Sequence, residues 1–130
     1  MTLQDFIPEN ALEDAILDTK RGRIQFDTLF GVIADVNLLV PSKTEIQAGF
    51  NGFSPLLLEH DGAPFVAAFS SLNRPAIYKD AAAYLLQMNG REFVLRLPAP
   101  FGLMLNPGYV VQMAIPRETV DELKQRFASR

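Results

Sequence analysis

Cysteine and tryptophan are absent from the 130 residues, and histidine occurs once, at His60. Without cysteine there is no disulfide framework, no thiolate nucleophile and no sulfur-ligated metal. A lone imidazole, with no carboxylates clustered at ligand spacing, does not build a metal site, and none is expected. Cations are also in short supply, with 12 Lys and Arg against 15 Asp and Glu for a net charge of −3. Nucleic-acid binding depends on phosphate-neutralising cations, so that class is disfavoured. The tightest basic group, Lys20, Arg21 and Arg23, follows a helical stretch, where cations complement the C-terminal end of the helix dipole. No apolar run approaches the roughly 20 residues needed to cross a bilayer, and Met1–Asn10 lacks the basic and apolar regions of a signal peptide. Gly49, Gly52, Gly62 and Gly90 match neither the P-loop nor the dinucleotide fingerprint. The expectation is a cytoplasmic protein with no cofactor, no membrane partner and no nucleic-acid partner.

What the chain does have is apolar side chain. Nearly half of it is hydrophobic, including ten Phe. That suits one domain over residues 1–130, burying roughly two thirds of its unfolded surface. Leu12, Ala15, Ile16 and Thr19 recur at helical spacing after Pro8 and Glu9, and Gly22 is placed to end that helix in the left-handed conformation. A second helix is read over Phe26–Ala34, with Phe26, Leu29, Phe30 and Ile33 on one face. Val36–Val40 reads as a strand ended by Pro41. Leu56–Glu59 and Pro64–Phe69 flank His60-Asp61-Gly62, a hairpin signal. Leu103–Leu105 and Val110–Ile115 flank Asn106-Pro107-Gly108 and read as a second strand pair. A last helix is expected over Pro116–Phe127, with Val120, Leu123 and Phe127 on one face. The order predicts an α+β fold: a mainly antiparallel sheet covered by an N-terminal helical pair and a C-terminal helix. Tyr84–Leu97 is open to two readings. Asn89-Gly90 between apolar runs suggests a type I′ hairpin, which the pattern slightly favours, and the alternative is a strand followed by a short helix.

In this order the chain resembles the SseB N-terminal domain family, named for an enhanced serine-sensitivity phenotype in bacteria. The resemblance rests on the helical N-terminus and the strand ending at Pro41. It continues through the aliphatic strand into Phe69-Ser70-Ser71, the Gly90-Arg91 segment, Asn106-Pro107-Gly108, and the last strand ending Ile115-Pro116. It implies an α+β domain of bacterial origin and favours strand then helix over Tyr84–Leu97. It brings no established enzymatic activity; longer members carry a second domain after the last helix, and none is expected here.

No catalytic residue emerges from the motifs. His60 beside a hairpin tip reads as a turn residue, and Glu13, Asp14, Asp18, Asp121 and Glu122 lie off the apolar stripes and read as solvated. The loop Ala48–Pro55 sets Phe50 and Phe53 among Gly, Asn, Ser and Pro, where rings either plug the core or anchor a partner. Ser70, Ser71, Asn73 and Arg74 follow an apolar strand, with Ser71 or Asn73 read as a helix cap or a ligand contact. Asn106 opens a type II turn and bonds its own backbone in the structural reading. The expected function is non-enzymatic: a regulatory or adaptor module binding another protein through Phe50 and Phe53, itself as a homodimer through an exposed sheet edge or the same Phe loop, or both. The alternative is a small-molecule sensor or weak enzyme with Ser70, Ser71, Asn73, Arg74 and Asn106 around one pocket.

Overall fold

The computed structural model describes residues 6–128. Helix α1 (Ala11–Lys20) is capped by Asn10, whose side chain accepts from the Glu13 N–H at 3.0 Å, so it starts after Pro8 and Glu9 rather than at them. Gly22, at φ 74°, ends it in the left-handed region. Helix α2 (Phe26–Asp35) packs against α1 and buries Leu29, Phe30 and Ile33. Phe26 was assigned to that face but is 56% exposed, because the apolar stripe meets the core only from Leu29 onward.

Strand β1 (Asn37–Ser42) continues through Pro41 instead of stopping there. Leu39 exchanges both backbone hydrogen bonds with Phe69, so residues of its parity turn away from the strand paired on the other side. Pro41 shares that parity, and its missing N–H therefore costs the ladder nothing. Strands β2 (Leu57–His60) and β3 (Ala63–Ala68) form the expected hairpin. Asp61 and Gly62 at its tip have φ 51° and 79°, the two positive values of a type I′ turn.

Asn89-Gly90 does not form a hairpin. Strand β4 (Tyr84–Asn89) pairs antiparallel with β1, and helix α3 (Gly90–Arg96) follows at once. Asn89 caps that helix by accepting from the Glu92 N–H, and it also donates to the Ala34 carbonyl. A Cβ on Gly90 would collide with the Ile33 carbonyl oxygen, so glycine is there for close approach and not for a turn.

Strands β5 (Gly102–Leu105) and β6 (Met113–Ile115) pair antiparallel, and α4 (Arg117–Ala128) closes the chain with Val120, Leu123 and Phe127 buried. Residues 110–112, expected to be strand, belong to the connection. The strands form two sheets, β1-β4 and β2-β3-β5-β6, and β3-β5 is parallel while the other ladders are antiparallel. The α+β class and the helical cover match the sequence pattern. The main core joins Leu12, Ile16, Leu29, Ile33, Leu103 and Leu123 with the Leu38, Val40 and Val66 side of the strands. A smaller cluster of Leu39, Leu56, Ala67, Phe69 and Ala82 covers the other side. Because both sides are covered, β1 and β3 read as continuous apolar runs instead of alternating ones.

Candidate functional site

Two features stand out, a polar cluster and an apolar cleft. The cluster centres on Glu13, which was expected on a solvated face and is fully buried. One helical turn after its cap, its carboxylate faces the loop that follows β3. Ser70 Oγ donates to Oε2 at 2.5 Å and Ser71 Oγ at 2.9 Å. Arg74 donates through Nε to Oε2 at 3.2 Å and through Nη2 to Oε1 at 2.8 Å, a bidentate pair. The Glu9 N–H completes the shell at 3.0 Å. Burial pushes the Glu13 carboxyl up, but the hydrogen bonds from Arg74, Ser70, Glu9 and Ser71 outweigh it and hold the group below the usual carboxylate range.

Neighbouring groups extend the network. The single Ser71 hydroxyl proton is shared between Glu13 and Glu9, whose Oε1 lies 2.7 Å from Ser71 Oγ; Asn73 Nδ2 donates to Glu9 at 3.1 Å, and both contacts lower the Glu9 pKa. The Arg74 guanidinium lies 4.8 Å from the Phe6 ring centroid and 5.2 Å from that of Tyr109, whose hydroxyl donates to the Arg74 carbonyl. Asn106 does not bond its own backbone. At φ 51° its Oδ1 accepts from the Ser70 N–H at 3.0 Å and lies 3.2 Å from the Ser70 Oγ, whose proton goes to Glu13. Among the described residues its buried Nδ2 has no hydrogen-bond partner. Tyr109 N–H bonds the Asn106 carbonyl across Pro107 and Gly108, whose φ of 88° fits the type II turn. Neither Ser71 nor Asn73 caps the short 3-10 helix Arg74–Tyr78, because both side chains are drawn to the Glu9 and Glu13 carboxylates.

The structure thus brings Ser70, Ser71, Asn73, Arg74 and Asn106 together, but around two carboxylates of the N-terminal segment and not around an open space. Ser70, Ser71, Asn73 and Arg74 are engaged as donors to those carboxylates, and the cluster rivets three stretches distant in sequence. Glu13, Glu9 and Tyr109 were not singled out by the sequence. Asn10 followed three residues later by Glu13 is the capping-box spacing, which marks the helix start but not the burial of the carboxylate.

The cleft has a volume of about 480 Å³ and lies between β4, α3, β3 and the loops on either side. Phe53 and Phe101 line it together with Leu86 and Met88 of β4 and Phe93 of α3. Arg96 is the charged residue of the lining, and its Nε lies 3.5 Å from Glu92 Oε2. Phe53 is half-buried and packs on the main core, so it forms a wall of the cleft. The Phe50 side chain lies outside the described residues. Leu86, Met88 and Phe101 went unnoticed because nothing local marks a strand face and a loop as neighbours. His60 stays at its hairpin tip, edge-on to Phe65 with ring centroids 5.6 Å apart.

No group of three or more His, Asp or Glu among the described residues is placed to hold a metal ion, and none of their helices is long and apolar enough to cross a membrane. These features define an α+β domain with a buried carboxylate–guanidinium cluster and an apolar cleft. The chain belongs to the SseB protein N-terminal domain family, whose sequence model matches residues 11–122. No curated protein and no solved structure matches it.

Proposed function

We propose that this chain is a protein-binding regulatory or adaptor module, non-enzymatic and cytoplasmic, that holds an apolar segment of a partner in the Phe53 cleft. The observation that carries this reading is the cleft itself: a cavity in the size range of ligand sites, walled almost wholly by apolar side chains. Its Phe and Met lining is the kind of surface that supplies binding energy and adapts to a partner. The polar cluster supports the same reading from the other side. A ligand there would have to displace Glu13 from Arg74, Ser70 and Ser71.

Selection from a displayed library of random peptides tests it. Apolar-rich peptides are expected, and Phe53→Asp and Met88→Glu, both in the lining of the cleft, should each weaken their binding by about 30-fold or more. Circular dichroism and thermal melts confirm that each variant is folded. Binding unchanged in both variants, or no selected peptide, sinks the reading. A metabolite that stabilises the wild type and Phe53→Asp alike, but not Asn73→Ala, would instead place the function at the polar cluster, as a small-molecule sensor.

A further inference from the structure

We propose that β4 pairs edge to edge with the β4 of a second copy of this chain, making a symmetric dimer with a continuous four-stranded β1-β4-β4-β1 sheet. The inference stands apart from the peptide-binding reading, because the hydrogen bonds that carry it come from the backbone at the outer edge of β4, although Leu86 and Met88 at the seam also line the cleft.

The hydrogen-bond parity of β4 follows from two contacts. Gly90 N–H donates to the Val36 carbonyl, and in the register Asn37↔Asn89 the residues opposite Leu38, Val40 and Ser42 are Met88, Leu86 and Tyr84. Those three therefore bond β1, and the backbone N–H and C=O groups of Leu85 and Gln87 point to the outer edge. No strand or bridge among the described residues pairs with that edge.

Protein edges are usually blunted by charge, proline, bulges or shortness. The other edges here fit that pattern. Strand β2 carries Glu59 and His60, and β6 is three residues long. The outer side of β1 is held by bridges to Phe69 and Pro55. Strand β4, Tyr84-Leu85-Leu86-Gln87-Met88-Asn89, has six residues with no charge, proline, glycine or bulge, and Tyr84 and Leu85 are 45% and 39% exposed.

A second copy is the occupant that the arrangement specifies. In an antiparallel pair centred on Leu86, Leu85 of one chain opposes Gln87 of the other, and the reverse pair repeats it. The outward groups of Leu85 and Gln87 then exchange backbone hydrogen bonds with themselves across the two-fold axis. Leu86 meets Leu86, Tyr84 meets Met88, and the neutral strand brings no like charges into register. Leu86 and Met88 also line the cleft, so the clefts of the two copies open on the same face of the joined sheet.

Sedimentation velocity of the purified chain over a concentration series should give twice the 14.5 kDa of one chain. Gln87→Pro removes an outward N–H without touching the β1 ladder and should weaken dimerisation at least about 10-fold. Leu85→Lys should act in the same direction through edge charge, and serves if the proline variant misfolds. Because the natural chain has no cysteine, Leu86→Cys gives a geometric readout. A non-hydrogen-bonded antiparallel pair brings Cα atoms to about 4.5 Å, within disulfide range, so mild oxidation should link the dimer. Leu57→Cys, on exposed β2, should stay unlinked. A monomer at every concentration overturns the proposal, as does a dimer that survives the edge variant that folds, or a Leu86→Cys chain that links no faster than Leu57→Cys. The state is read with no partner present, so a failed peptide selection does not bear on it.

Discussion

Replacing Glu13 with Gln should lower folding stability by about 3–5 kcal/mol, the usual result of removing one partner from a buried ion pair. For a domain of this size that corresponds to a fall in Tm of roughly 10–20 °C. The loss arises because Arg74, with a side chain 14% exposed, stays charged between the Phe6 and Tyr109 rings after its counter-charge is gone. The effect carries a pH signature. The Glu13 carboxyl is held below the ordinary range in the folded chain. The unfolded chain therefore binds the proton more readily, so stability is present above the ordinary carboxylate pKa and is lost as pH falls through the folded value. Denaturant titrations at pH 7 and at about pH 3 should show the wild type losing more stability than Glu13→Gln over that interval. Arg74→Met should be costly alone but add little to Glu13→Gln, because the two side chains act as one unit. If Glu13→Gln costs under about 1 kcal/mol and keeps the wild-type pH slope, the cluster does not hold the N-terminal segment in place.

Gly90→Ala should be nearly as damaging, at about 3 kcal/mol or more, and for a different reason. The added methyl has no flexible side chain to push aside, since the atom in its way is the Ile33 backbone carbonyl, with its carbon 2.9 Å distant. Relief would require α3 to move off α2 and would take the Asn89 bond to the Ala34 carbonyl with it. Gly31→Ala is the matched control. It lies in the middle of α2 with nothing within 4 Å of its added Cβ, and should stabilise the chain by about 0.5–1 kcal/mol. Urea midpoints of the two variants check both. Similar small effects from both would show that Gly90 is not at a close approach.

Much of the fold was legible because its signals are local. The 3.6-residue period of Leu12, Ala15 and Ile16 belongs to one helix face, and Asp61-Gly62 sets its own turn whatever packs around it. Where a signal is local but ambiguous, packing decided. Asn89-Gly90 suits a type I′ turn and equally suits a cap followed by a glycine under a crossing helix, and only the approach of α2 separates the two. Phe26 continues the stripe of α2 in sequence but lies beyond the reach of the core.

The site was legible in part. Ser70, Ser71, Asn73, Arg74 and Asn106 were recognisable as a group with shared chemistry, yet Ser70, Ser71 and Arg74 converge on the Glu13 carboxylate 57 to 61 residues earlier, Asn73 on Glu9, and Asn106 joins through Ser70. By itself the sequence determined the types of the elements outside Tyr84–Leu97, the β2-β3 hairpin, the α+β class, and the exclusion of thiol and disulfide chemistry. Each of these depends on composition or on residues within one turn of each other. Only the tertiary structure decided that Glu13 is buried, that β3 and β5 run parallel, that Phe53 and Met88 line one cleft, and that β4 is left as an open edge. These depend on which distant segments meet, and interactions within a single turn of chain do not specify that meeting.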